Sequence, residues 1–356
     1  MGRFWTLMLG ALIGMAAAGY AQPRDTLQDE LGRPIALRGI ALDNWLTGGV
    51  AHEDSDTRAI AAMGGNCVKI EIPFTLLSRA DPIVRDQRLA QIERMAGYAG
   101  GAGLGVVLSC TEPAGIALFA TDRDVRMAFV STWIELIDRL ASGPAAPTLR
   151  AIVPLEDPSA ALSDPQQYSD LCSYLAQEMQ AARPGLAMFL VPLESPGPDG
   201  TPILTQPTVG GVCRIPAEAA ALERLAIVRA AREWSREAGR AVLIDQVAPP
   251  APRPREEWPD VLLPCLSAIT HSDPPIHLIY DRMRSAEADQ PGIALRYPSG
   301  GSMHMEPLLE GLLTQAFRGS LAPLPEPAEE GSTEPEEPQA AEPTDEEPPP
   351  PPGEEG

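Results

Sequence analysis

The sequence predicts an α/β fold, a (β/α)8 (TIM) barrel over residues 22–321, followed by an acidic, proline-rich tail over residues 322–356. Three observations predict it. Short apolar stretches alternate with amphipathic helical stretches seven or eight times. The short stretches are apolar throughout rather than in alternation, as strands of a parallel sheet covered by helices must be. The length between the N-terminal segment and the tail, roughly 300 residues, suits such a barrel. A doubly wound open sheet is the competing arrangement, but neither G-x-G-x-x-G nor G-x-x-x-x-G-K-[ST] occurs in the sequence, and that fold commonly binds phosphate on such a turn.

The elements follow in order. Met1-Gly2-Arg3, an apolar run from Phe4 to Gly19 and small residues near Ala21 make a secretory signal peptide over residues 1–21. An uncleaved anchor is the alternative, although the run is slightly short for a span. The first strand is Leu37 to Leu42, running into the polar, aromatic loop Asp43-Asn44-Trp45. A helix from Asp56 to Met63 ends at Gly64-Gly65, with Ser55 or Asp56 as its N-cap. Asn66 to Pro73 reads as the second strand, Asp86 to Gly97 as a helix with Leu89, Ile92 and Met95 on one face, and Val106 to Thr111 as the third strand.

The helix from Asp122 to Ala141 carries Val125, Phe129, Trp133, Ile137 and Leu140 on one face. Leu149 to Asp157 is the fourth strand, stopped by Pro158. A helix over Asp164 to Ala182, a strand over Leu186 to Val191 and a weaker strand over Gly210 to Ile215 follow. Pro216 opens a long helix to Ala238, closed by Gly239. Ala241 to Val247 is a clear strand. Ile276 to Ile279 and Ile293 to Leu295 compete for the last strand, and Pro307 to Phe317 is the closing helix.

Composition narrows function. The formal net charge is −22, and the segment after Arg318 holds twelve acids with no Lys or Arg. Such a protein has no electrostatic grip on nucleic acid or on anionic membranes. The tail has too little apolar surface to offset chain ordering and is expected to be disordered. Five cysteines (67, 110, 172, 213, 265) give neither a disulfide framework nor a C-x-x-C pattern, and four scattered histidines give no His-rich metal site. His52 to Asp56 reads as a helix-capping loop with cation binding as the alternative. No metal and no cofactor are expected.

Taken together, the strand ends resemble glycoside hydrolase family 5, the cellulase-like retaining barrels. Gly32 to Gly39 is similar to that family's first strand. Met63 to Ile70 is similar to its G-x-N-x-V-R-I second strand, with Lys69 in place of arginine. Leu155-Glu156-Asp157-Pro158 falls where the family has Asn-Glu-Pro, which carries the acid/base. Val242 to Val247 falls where it has Gly-Glu-Phe-Gly, which carries the nucleophile. The resemblance implies a polysaccharide or oligosaccharide partner and a site at the C-terminal ends of the strands.

The departures bear on chemistry. Register puts Asp157 at the acid/base position and Glu156 at the asparagine. In the seventh strand it puts Gln246 at the nucleophile and Asp245 at the glycine. Glutamine cannot form a covalent glycosyl ester. A one-residue bulge would bring Asp245 inward instead, because a slip of one residue reverses the face. No His-bearing end follows the third strand, which offers Ser109-Cys110-Thr111, and no His-x-Tyr follows the sixth.

The catalytic candidates are therefore Asp157, Asp245, Glu156 and Gln246. The substrate-binding candidates are Asn44, Trp45, Lys69 and Tyr297, the aromatic ones suited to stack on sugar rings or else to pack under loops. Three functions compete: an exported hydrolase of β-linked glycans with Asp157 as acid and Asp245 as its partner, a carbohydrate-binding barrel without catalysis, and an envelope interaction protein working through its tail. Secretion or a periplasmic location follows from the signal peptide.

Overall fold

A computed structural model describes residues 27, 33–42, 46, 51–78, 81–111, 122–142, 149–159, 162, 164–183, 185–193, 197–204, 206, 208–250, 253–284, 294–299 and 302–324. Eight parallel strands close into a barrel in sequence order, β1 pairing with β8. They are β1 (Arg38–Leu42), β2 (Cys67–Ile72), β3 (Gly105–Cys110), β4 (Leu149–Val153), β5 (Ala187–Leu190), β6 (Val209–Arg214), β7 (Val242–Val247) and β8 (His277–Tyr280). The barrel helices are α1 (Asp54–Met63), α2 (Pro82–Gly101), α3 (Arg123–Ser142), α4 (Pro165–Ala182), α5 (Ala221–Ala238), α6 (Trp258–Thr270) and α7 (Pro307–Phe317). A short antiparallel hairpin, β9 (Arg296–Ser299) with β10 (Ser302–Met305), stands between β8 and α7. The fold predicted from the sequence is the fold observed.

Two apolar layers result from strand alternation. Residues such as Ile40, Val68, Leu108, Ile152 and Ile244 point outward and pack with the helices in one large cluster. Leu37, Ala41, Cys67, Val107, Ala151, Val153, Phe189, Val212, Leu243 and Ile279 point inward and fill the lower barrel. Large interior side chains need small partners at fixed volume. Phe189 has one in Gly210, where an added Cβ would lie 2.4 Å from the Ala241 carbonyl and 2.9 Å from the Phe189 ring.

The differences from the sequence reading have physical causes. The last strand is His277–Tyr280, and the competing segment leads into the hairpin instead. No helix lies between β5 and β6 among the described residues; the connection holds Pro192, Pro196, Pro198, Pro202 and Pro207, and proline removes helix donors and clashes with the preceding turn. Helix α5 begins at Ala221 rather than Pro216, because Pro216 starts a turn closed by Ala219 N–H. There the buried Arg224 donates to the carbonyls of Ala217, Ala219 and Ala248, tying the turn to the chain just past β7.

The N-cap of α1 is Glu53, with Asp56 at N3 in a capping box, not Ser55 or Asp56. Asp56 is wholly buried and receives Arg284 Nε at 2.9 Å and Arg296 Nη1 at 2.8 Å. Burial alone would raise its pKa, but hydrogen bonds from His52, the Glu53 amide and Arg284, with the charge of Arg284, hold it below the usual range. This latch fastens the start of α1 to the segment after β8 and to the hairpin, both at the mouth of the barrel. It replaces the cation-binding alternative for His52 to Asp56. Among the described residues no helix is long and apolar enough to cross a membrane. The N-terminal signal segment, Asn44, Trp45 and the tail beyond Leu324 lie outside the described residues.

Candidate functional site

The strands deliver their C-terminal ends to one mouth, where regular alternation breaks twice. In β4, Ala151 and Val153 face inward and Ile152 outward. Continued alternation would send Asp157 inward. The chain instead bends at Pro154, and Leu155 joins the outer layer. Glu156 N–H then donates to the Cys110 carbonyl at 3.0 Å, extending the ladder beside β3. Its side chain turns into the barrel. Asp157 is exposed, and its carboxylate accepts from Ser159 Oγ at 2.6 Å. The expectation that Asp157 takes the inward position is thus corrected to Glu156, the parity change at Pro154 being the reason.

In β7, Ala241 and Leu243 face inward and wholly buried Asp245 continues the series. Pairing with β8 shifts between Ile244 and Val247, and Val247 faces outward. Gln246 is the extra residue of this bulge and has φ +60°, the one positive value among described non-glycine residues. The bulge leaves Asp245 inside while also turning the Gln246 carboxamide toward the mouth, where Nε2 donates to Glu156 Oε2 at 3.4 Å.

Lys69, from β2, holds these ends together. Its Nζ lies 2.6 Å from Glu156 Oε1, 2.7 Å from Asp245 Oδ2 and 3.3 Å from Glu71 Oε1. The bound Glu156 and Asp245 oxygens are therefore at most about 5.3 Å apart, the sum of their two distances to the nitrogen. Burial by itself would lower the Lys69 pKa, but the charges of Asp245, Glu156 and Glu71 outweigh it and hold the ammonium well above its ordinary range. Ser109 Oγ also donates to Glu156 Oε1. Glu156 Oε1 is thus saturated by an ammonium and a hydroxyl, whereas Oε2 has only the long contact from Gln246 and Arg214 Nη2 at 3.6 Å.

This arrangement places a permanent cation between two carboxylates whose bound oxygens are no farther apart than the roughly 5–5.5 Å that separates the carboxyl groups of retaining glycosidases. Lys69 and Asp245 are inaccessible to solvent, and Glu156 is 6% exposed. The partly exposed polar groups of the mouth belong to Glu71, Arg214 and Gln246. Of the sequence candidates, Lys69, Glu156, Asp245 and Gln246 converge. Tyr297 sits in the hairpin, half-buried, its ring 6.2 Å from that of His304. Trp133 and Trp258 are buried packing residues, and Trp234 packs against the outer layer beside Gly211. Sequence reasoning missed Arg214 and Glu71. Both end inward-facing series of predicted strands, so strand parity alone would have found them. Among the described residues no group of three His, Cys, Asp or Glu side chains is arranged to hold a metal ion. All five cysteines are buried and none is in a disulfide.

No protein-family model and no curated protein matches the sequence. Solved structures do match the fold. Endo-glycoceramidase II from Rhodococcus sp., captured as a lactosyl-enzyme intermediate, aligns with TM-score 0.64 at 14% identity, over 81% of this chain and 80% of that one. Thermotoga maritima Cel5A in complex with cellobiose aligns with TM-score 0.60 at 16% identity, over 78% and 97%. A hyperthermophilic endo-β-1,4-glucanase with bound substrate aligns with TM-score 0.61 at 12% identity, over 78% and 96%. At these identities the likeness establishes the shared barrel.

Proposed function

We propose that the chain is an exported, divergent member of glycoside hydrolase family 5 that binds β-linked glycans at the barrel mouth without hydrolysing them. The family assignment rests on the strand-end motifs together with the barrel shared with glycan-binding and glycan-cleaving enzymes. Export rests on the signal-like N-terminus.

The observation that carries the loss of hydrolysis is Lys69 Nζ, bonded at once to Glu156 and Asp245. A retaining glycosidase needs one carboxyl group to deliver a proton and another to attack the sugar carbon lying between them. Here an ammonium occupies the space between the two carboxylates. Asp245 Oδ2, the oxygen that would attack, is bound to that ammonium at 2.7 Å. Gln246, the neighbouring side chain that reaches the mouth, has no nucleophilic carboxylate. The polar groups left accessible suit hydrogen bonding to sugar hydroxyls.

The test is purified protein against β-glucans, β-mannans and xylans, with reducing ends counted and affinity measured separately. Affinity for at least one glycan without released reducing ends is the expected result. Turnover by wild type that Glu156→Gln and Asp245→Asn each abolish would establish hydrolysis and overturn this reading. Absence of affinity for every glycan would remove carbohydrate as the ligand.

A further inference from the structure

Among the described residues of the mouth, Arg214 has hydrogen-bonding capacity that is not used. Arg214 is the last residue of β6, in register with Asp245, and faces the barrel interior. Its Nε and Nη2 are shielded from solvent and have no hydrogen-bond acceptor. Its nearest charged neighbour, Glu156 Oε2, lies 3.6 Å from Nη2, beyond a normal hydrogen bond. Arg224, by contrast, is bonded to three carbonyls, and Arg284 to Asp56 and to the Ala51 carbonyl. Buried polar atoms in native proteins are almost always paired, so two orphan donors on one side chain call for a partner. Nε–H and Nη2–H lie on one edge of the guanidinium and point the same way, a fork that matches two neighbouring oxygens.

We propose that Arg214 is the residue that grips the sugar: its Nε–H and Nη2–H donate to two adjacent hydroxyl oxygens, and one of those hydroxyls donates onward to Glu156 Oε2. The inference rests on the glycan-binding reading above and names the ligand group that the mouth recognises. Charge selects hydroxyls over a carboxylate. Glu71, Glu156 and Asp245 face Lys69 and Arg214 at the mouth, an excess of one negative charge. A ligand carboxylate on the Arg214 fork would add a second negative charge beside Glu156. A hydroxyl accepts from the guanidinium and gives its own proton to the carboxylate, satisfying both. Arg214 and Glu156 would then read a neutral vicinal diol, which any unsubstituted β-linked hexose or pentose chain offers.

The experiment uses the full chain with cellotetraose, mannotetraose, xylotetraose and a glucuronate-bearing xylo-oligosaccharide, titrated calorimetrically into wild type, Arg214→Met and Arg214→Lys. At least one neutral tetrasaccharide is expected to bind wild type, with affinity falling tenfold or more in both variants. The thermal midpoint of Arg214→Lys, which keeps the charge beside Glu156, should stay within about 2 °C of wild type, because the substitution breaks no hydrogen bond. A structural arginine would give the opposite pair in Arg214→Lys, a lowered midpoint with unchanged affinity, and that pair overturns the proposal. Tenfold tighter, Arg214-dependent binding of the glucuronate probe would replace hydroxyls by a carboxylate. Unaltered neutral-glycan affinity in the variants removes Arg214 alone, whereas no glycan binding by wild type removes the underlying reading as well. Should Arg214→Met fail to fold, Arg214→Lys keeps the charge, loses the fork, and reads the same affinity.

Discussion

Replacing Lys69 by methionine tests the centre of the mouth most directly. The side chain is wholly buried, and three carboxylates from β2, the end of β4 and β7 converge on its nitrogen at 2.6–3.3 Å. Methionine keeps the stem's volume and removes the charge. Breaking a buried ion pair by removing one partner costs about 3–5 kcal/mol. With three carboxylates left facing one another, the upper end applies, about 5 kcal/mol at neutral pH. For a domain of this size that corresponds to a fall in melting temperature of roughly 10–20 °C.

The pH dependence supplies a second check. Lys69 is held above its ordinary value of 10.5. A raised lysine contributes its full stabilisation below the unfolded-state value, and the contribution disappears only as pH rises through the folded one. Wild type should therefore show no Lys69-dependent change between pH 5 and 9, and should weaken only in strong alkali. In Lys69→Met the carboxylates lack a cation, so lowering the pH should narrow the deficit as protons replace it. Circular-dichroism melts of both proteins at pH 5, 7 and 9 make the measurement. A variant melting within about 2 °C of wild type at pH 7 would refute the view that the ammonium compensates these carboxylates.

Two further predictions concern the barrel wall. His277 is buried among interior side chains, and its Nδ1 accepts from Leu37 N–H at 2.9 Å; burial first, then the nearby Arg38 charge, lowers its pKa to about 3. A depressed histidine costs stability as pH falls from 6.5 toward 3, up to about 5 kcal/mol in all. His277→Asn should therefore gain on wild type by several degrees at pH 4 relative to pH 8, and an equal difference at both would count against a neutral His277. Gln246 is the other case: Gln246→Gly should hold stability within about 1 kcal/mol, whereas Gln246→Val should lose more than about 2 kcal/mol, since a β-branched residue resists positive φ. Chemical denaturation separates these outcomes, and equal losses would show that the +60° backbone is not what the bulge strains.

Much of the barrel was legible because its signals are repetitive. Apolar strands buried on both faces and helices with one apolar face recur along the chain, and seven of the eight strands needed no arbitration. The eighth did, because Ile276 to Ile279 and Ile293 to Leu295 have the same short apolar character and only pairing with β1 distinguishes them. The site was legible in its ingredients and not in its register. Lys69, Glu156, Asp245 and Gln246 stood out as polar residues at strand ends. Which of Glu156 and Asp157 faces inward depended on a bend at Pro154, and such a bend reverses every later side chain while leaving composition untouched. Arg214 is less legible for another reason: the sixth strand holds Gly210 and Gly211, so its apolar pattern is faint and its inward face does not stand out in the sequence.

The polar mouth itself asks for an explanation that stability does not provide. Substituting well-packed apolar side chains for a buried ionic cluster is commonly neutral or favourable, since desolvation offsets the mutual attraction. The lower barrel follows that rule, with Phe189, Val212 and Leu243 filling it without a charge among them. One layer higher, the same strands supply Glu71, Ser109, Glu156, Arg214, Asp245 and Gln246 around Lys69. Within that layer Lys69, Ser109, Glu156 and Asp245 are paired with one another, whereas Arg214 Nε and Nη2 are shielded from solvent and unpaired. A cluster kept only for packing would leave no buried donor idle. The unpaired edge of Arg214 at the end of β6 is what such a cluster would keep if the paired groups are a support that holds it in place for a ligand.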